Sequence, residues 1–273
     1  MLIDTHAHLD YSDFAQDFDA VLERATAAGV TRIITIGTSL ESSRRAVELA
    51  EKYANVFAVI GVHPTNAEEA VEDVITPLRE LAKSPRVAAI GETGLDYHYL
   101  PSAELVRQRK SEVVSNALQA ETEDDIEGGL HDGALKSKQA SLFQQQLDLA
   151  VELRLNVVVH QRDAWDDTLA ILREYGRQVS GVFHCFGGTR EQADEVISLG
   201  HLVSFTGIVT FKNGAAVREV AAGLSLGEFM VETDCPYLAP EPHRGKRCEP
   251  AYTRLVAESI ASARGISLEE LAR

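Results

Sequence analysis

A chain of 273 residues, 45% hydrophobic and 25% charged, has the composition of an ordinary globular protein with material for a sizeable core, which excludes an intrinsically disordered chain. Its formal charge of −16 argues against broad electrostatic adhesion to nucleic acid or an anionic membrane, so a polyanionic substrate would have to be gripped locally. Three cysteines, Cys185, Cys235 and Cys248, are too few and too unevenly placed for a disulfide framework, and no apolar run approaches the roughly 18 to 20 residues of a membrane span.

The first apolar run, Leu2 to Thr5, predicts a strand, and the start lacks the basic-then-apolar pattern of a secretory signal, so a cytoplasmic location is expected. Phe18, Val21, Leu22 and Ala25 then share one helical face, with Gly29 placed to stop the helix. Further strand-like runs follow at Arg32 to Ile36, Phe57 to Val62, Val87 to Ile90, Asn156 to Val159, Gly181 to Phe183, Leu202 to Phe205 and Phe229 to Thr233. Helical periodicity covers Arg44 to Tyr53, Trp165 to Tyr175, Thr189 to Leu199 and Pro250 to Arg264. Strands alternating with helices in this number predict an α/β fold, a single (β/α)8 TIM barrel of parallel strands over residues 1–273. The rival, a doubly wound open sheet, usually carries a glycine-rich phosphate turn after its first strand, where this chain has His6-Ala7-His8. Residues 101–139 exceed what one crossover helix requires. Their acidic middle, Glu121 to Gly129, reads as a surface loop or insertion.

Five of the nine histidines fall at or just beyond the C-terminal ends of these strands: His6, His8, His63, His160 and His184. In a barrel those ends converge on one face, where active sites form, whereas His201 sits at the entrance of its strand on the opposite face. His6 and His8 are two residues apart, so an extended backbone points both imidazoles the same way. Glu92 and Asp234 close the fourth and eighth strands with carboxylates. A carboxylate has two oxygens and can bridge two cations, which makes Glu92 the natural bridge. The site expected from the residues is thus His6, His8, Glu92, His160, His184 and Asp234, a mixed imidazole and carboxylate set that suits zinc, manganese or, less well, magnesium.

These motifs resemble the TatD family of metal-dependent deoxyribonucleases. The similar segments are Asp4-Thr5-His6-Ala7-His8-Leu9-Asp10, Gly61-Val62-His63-Pro64, Gly91-Glu92-Thr93-Gly94-Leu95-Asp96-Tyr97, His184-Cys185-Phe186-Gly187-Gly188, Ser204-Phe205-Thr206-Gly207, and Val231 to Leu238, in order along nearly the whole chain. The resemblance implies a barrel hydrolase that cleaves DNA phosphodiesters with divalent cations. It assigns His6, His8, Glu92 and Asp234 to one metal, and Glu92, His160 and His184 to the other. A water activated between two cations is the expected nucleophile and Asp234 the expected base, with Glu92 also in the catalytic set. His63 and the basic run His243-Arg244-Gly245-Lys246-Arg247, after the eighth strand where barrels often bind phosphate, are expected to hold substrate. The competing functions are hydrolysis of a small-molecule amide or ester by the same activated water, and a metal-holding interaction protein without activity. No membrane and no obligate protein partner is inferred.

Overall fold

In the computed structural model, which describes residues 1–103 and 123–273, eight strands pair in chain order, each parallel to the next. They are β1 (Leu2–Ala7), β2 (Val30–Ile36), β3 (Val56–Ile60), β4 (Val87–Asp96), β5 (Asn156–Arg162), β6 (Gly181–Phe183), β7 (Leu202–Phe205) and β8 (Phe229–Val231). The chain just past β8 returns to β1: Asp234 N donates to His6 O at 2.9 Å and His8 N to Cys235 O at 2.8 Å, which nearly closes the barrel. The helices are α1 (Phe18–Ala27), α2 (Leu40–Lys52), α3 (Ile75–Leu81), α4 (Glu123–Leu153), α5 (Trp165–Tyr175), α6 (Arg190–Ser198), α7 (Ala215–Gly223), α8 (Thr253–Arg264) and α9 (Leu268–Leu271). The expected (β/α)8 architecture is therefore present. Among the described residues, no helix is long and apolar enough to cross a membrane.

Alternation along the strands divides the core in two. Ile36, Val59, Ala89, Val158 and Val182 form one buried cluster, with Ile34, Leu202 and Met230 against it; these residues come from successive strands and fill the barrel interior. Their neighbours, such as Val157, Val159, Phe183 and Val203, face outward into a second, larger cluster with the helices. Each fully buried Val, Leu, Ile or Phe contributes roughly 1.5–3 kcal/mol by leaving water. The same parity places function, since His160 and His184 lie two residues beyond Val158 and Val182 and so also point toward the barrel axis.

Two strands depart from regular pairing where it matters. The β1–β2 register shifts between Asp4 and Ala7, around His6, and the β4–β5 register shifts between Ile90 and Thr93, around Glu92. An extra residue in one strand re-aims the side chain it carries. Pairing then resumes from Thr93 to Asp96, so β4 runs six residues beyond the Ile90 end expected from sequence. Gly94 permits the closest approach in this region. Its φ is +140°, and a Cβ there would lie 2.0 Å from His160 O.

The expected surface loop differs. Residues 104–122 of the 101–139 segment lie outside the described residues, but Glu123 to Gly129 belong to α4 rather than to a loop. The packed C-terminal half of α4, with Leu142, Phe143, Leu147, Leu149 and Ala150 buried, supplies a nucleus from which each further residue adds one hydrogen bond. This helix also serves the site: buried Gln139 accepts from Asp96 N (2.9 Å) and donates to Asp96 O (3.0 Å). Gln146 accepts from Val62 N (2.8 Å) and donates to Thr93 Oγ1 (2.7 Å). Together they brace the exits of β3 and β4.

His201 opens β7 at the far face, 1% exposed, with neither ring nitrogen hydrogen-bonded. Burial lowers its pKa from 6.5 to about 4, because the cation would lose its hydration. The unfolded chain therefore takes up a proton between those values that the folded chain refuses, and stability falls as the pH drops from about 6.5 toward about 4. His201→Leu is expected to reduce the stability loss between pH 7.5 and pH 4.5 by roughly 2–3 kcal/mol, read by urea unfolding at both pH values. An unchanged acid slope would remove His201 as its source.

Candidate metal centre

The site is built around Glu92, 3% exposed, whose two oxygens face different neighbours. Oε2 lies 3.5 Å from His6 Nε2 and 3.9 Å from His8 Nε2, and those imidazoles are in turn 3.6 and 3.4 Å from Asp234 Oδ1. Oε1 lies 2.7 Å from His184 Nε2, 2.9 Å from His160 Nδ1 and 3.5 Å from His63 Nε2. The six residues expected as ligands thus meet at one rim, and His63 joins them. His63 was expected to hold substrate, yet its ring centroid is 4.3 Å from that of His160.

The surroundings fix these side chains. Buried Asp4 accepts from Thr233 N (2.9 Å), Thr233 Oγ1 (2.6 Å) and His6 N (3.3 Å), tying the His6 and Asp234 loops together. The His6 ring stacks on His184 at 4.1 Å, and Tyr11 stacks on His8 at 4.8 Å. His160 Nε2 lies 3.1 Å from Asp96 Oδ2, which aims Nδ1 at Glu92. Glu232, fully buried, accepts from Cys185 N at 2.7 Å and lies 3.8 Å from His184 Nδ1. Asp234 and Cys185 hold φ of +60° and +49°, a conformation non-glycine residues seldom adopt, and both border the site.

A cation fits this donor set. His6 Nε2, which faces Glu92 and Asp234, is buried without a hydrogen-bond partner, a cost that a positive ion beside it offsets. Ligand bonds of about 2.0–2.2 Å place neighbouring donor atoms roughly 3.0–3.5 Å apart, and the separations here run from 2.7 to 3.9 Å. Charge follows the same logic. Burial works against ionised Glu92, but His184, His63, His6 and His160 outweigh it and hold its carboxyl well below the ordinary range. Burial likewise opposes the charge on Asp234, and the His8 contact with the His6 and His8 charges lowers its pKa regardless. For His184, burial disfavours the imidazolium, yet Glu92 and Glu232 raise its pKa well above the usual value. Protons on these rings stand where cations would sit, so metal binding releases them.

Above the rim opens a cleft of about 1040 Å³ bordered by His160, His184, Asp234, Tyr99, Arg162 and Tyr237, among others. The basic run does not border it. Arg247 donates to both oxygens of Asp17, at 2.7 and 2.8 Å, and lies over Phe14; the His243 ring stacks on Tyr252 at 4.3 Å. Arg244 covers the Phe211 ring at 3.9 Å, and Lys246 is exposed. Asp96 and Glu232 were not singled out from sequence. Glu232 is two residues before Asp234, within the expected eighth strand, and strand parity alone would have flagged it; Asp96 is four residues past Glu92, and parity carried beyond the expected end at Ile90 would have flagged it too.

An eight-stranded α/β barrel gathering buried imidazoles and carboxylates at its C-terminal rim defines a metal-dependent hydrolase. Comparison with known proteins narrows the class: residues 3–273 match the family model described as TatD related DNase, and the chain belongs to that family. It is 37% identical over 273 residues to a Bacillus subtilis protein named "Uncharacterized metal-dependent hydrolase YabD", covering 100% of this chain and 94% of that one. It is 32% identical over 270 residues to a Klebsiella pneumoniae protein named "3'-5' ssDNA/RNA exonuclease TatD", covering 97% and 90%. Among solved structures, the TatD homologue YJJV of Escherichia coli superposes with a TM-score of 0.81 at 28% identity, covering 99% and 93%.

Proposed function

We propose that the chain is a two-metal phosphodiesterase that hydrolyses DNA from a strand end. The observation that carries this reading is the division of Glu92: one oxygen faces His6 and His8 with Asp234 beside them, and the other faces His160, His184 and His63. In this reading His6, His8, Asp234 and Glu92 hold one cation, and Glu92, His160 and His184 hold the other. Zinc, manganese and, less well, magnesium suit these ligands. When bound, the ions lower the pKa of water and neutralise charge building on the phosphoryl oxygens. Asp234, ionised and bordering the cleft, accepts the proton of the attacking water. Arg162 on the cleft wall supplies positive charge to a phosphate, a task the His243 to Arg247 run is not positioned for. The nuclease name of the Klebsiella relative supports phosphodiester over carbonyl chemistry.

The test uses protein stripped by chelator and reloaded with zinc, manganese or magnesium, assayed on single-stranded DNA, duplex DNA and a panel of amides and esters. Metal-dependent release of nucleotides from DNA, abolished by chelator, is expected. Hydrolysis of amides or esters with DNA intact under all three metals would overturn the substrate.

A further inference from the structure

We infer that the cavity between α6 and α7 is a subsite for a nucleobase remote from the scissile bond, reached across Gly187, so that affinity grows with the length of the polynucleotide; this rests on the phosphodiesterase reading. The cavity measures about 450 Å³, within the roughly 300–1,000 Å³ of small-ligand sites, and its walls include Arg190, Ala216, Glu219 and Val220. It is continuous with the metal cleft: Gly187, Gly188 and Gln192 border both spaces, which meet over the turn that follows β6.

The two glycines of that turn have different reasons to be glycine. At Gly188 a Cβ would lie 2.7 Å from Phe186 Cζ and 2.6 Å from Gln192 Oε1, so packing excludes a side chain. Gly187 has neither that constraint nor a left-handed φ, and a Cβ there would find nothing within 4 Å. Glycine loses more conformational freedom on folding than any other residue, and this one is exposed with no internal packing in return. What it leaves is room for the backbone of a ligand to pass close to its own. The turn is held from both sides: Phe186 N donates to Ser204 O at 2.8 Å, Thr189 N to Gln192 Oε1 at 2.9 Å, and Gln192 N to Thr189 Oγ1 at 3.3 Å.

The lining selects a base over a phosphate. Arg190 offers only donors and is fixed in the wall, with Nε donating to Asp194 Oδ1 and Nη1 to Gly223 O, each at 2.8 Å. The exposed Glu219 carboxylate offers only acceptors and repels a phosphate. A nucleobase edge carries both donors and acceptors, and the flat faces of the base suit Ala216 and Val220. The base therefore enters the cavity while its sugar and phosphate cross Gly187 toward the metal centre.

The test measures KM and kcat of the metal-loaded protein on oligothymidylates from the dinucleotide upward, for wild type, Ala216→Phe and Glu219→Ala. Ala216 is exposed on α7 and borders the second cavity but not the metal cleft, so Phe fills the one and leaves the other open. In wild type, KM is expected to fall about tenfold between the dinucleotide, too short to reach past Gly187, and the longer oligomers, the size of one hydrogen bond to a charged group. Ala216→Phe removes this step and Glu219→Ala raises KM for the longer oligomers about 3- to 10-fold, while both keep wild-type KM and kcat on the dinucleotide. If Phe lowers the melting temperature, Glu219→Ala, the loss of an exposed charge, decides alone. A wild-type KM independent of length, a step that survives both variants, or an equal loss on dinucleotide and long oligomers overturns the subsite while the phosphodiesterase reading stands. A wild type that hydrolyses amides or esters and no oligomer of any length overturns both.

Discussion

Glu92→Gln is expected to lower kcat/KM by about 10³-fold or more, about 4 kcal/mol of transition-state stabilisation at ~1.36 kcal/mol per tenfold. The amide keeps the shape of the side chain and can lend its carbonyl oxygen to one side only; its NH2 then faces the other set of imidazoles. In wild type each oxygen has its own neighbours, with His6 and His8 on one and His160 and His184 on the other. Loss of the shared negative charge therefore weakens both cation sites at once. Calorimetric titration is expected to find fewer than two tight equivalents bound to the variant. Its melting temperature should rise less on metal addition, since a ligand at about 100 times its Kd adds only about 2.7 kcal/mol, and less as Kd grows. Retention of two tight sites and wild-type turnover would remove Glu92 as the bridge.

What the sequence made legible depended on periodicity and on local capping. Continuous β-branched runs such as Val157, Val158 and Val159 exposed the strands, and the histidines at or just beyond the ends of those runs marked the rim. Helix α6 follows Thr189, where it is expected to begin, and that side chain accepts from Gln192 N; α2 starts at Leu40, four residues before the expected Arg44, after the unread cap Ser39, whose side chain accepts from Ser42 N. Helix α7 follows Gly214 without a side-chain cap, and α3 is only seven residues long with its cap one position early, at Asp73, whose Oδ1 accepts from Thr76 N at 3.0 Å; neither reads as a helix from sequence. The register shifts around His6 and Glu92 depend on pairing with β2 and β5, which no local pattern records. That is why β4 reads as ending at Ile90 and why Asp96 escaped notice. The basic run is the opposite case, conspicuous in sequence but with long-range partners hidden. Arg247 binds Asp17, 230 positions away, and Arg24 binds both Asp17 and Glu249 at 3.0 and 2.7 Å. Positive charge that looked available for substrate is committed in part to tying α1 to the loop after β8.

Asp234→Asn separates two roles that the geometry assigns to one residue. Oδ1 lies 3.6 Å from His6 Nε2 and 3.4 Å from His8 Nε2, so this oxygen faces the same space as Glu92 Oε2, while the side chain also borders the cleft. As a ligand alone, its loss would be a matter of occupancy, and saturating metal would restore turnover. As the base that takes the proton of water, its loss lowers kcat by about 10²–10⁴-fold whatever the metal concentration, because an amide cannot accept that proton at neutral pH. Both contributions are expected, with metal affinity reduced and kcat still depressed at saturation while KM stays within a few-fold of wild type. Steady-state kinetics across a metal titration, read beside calorimetric affinity, divides the two. Full recovery of kcat at saturating metal would leave Asp234 a ligand and move the proton to another group at the rim, of which His63, 3.5 Å from Glu92 Oε1, is the next in reach.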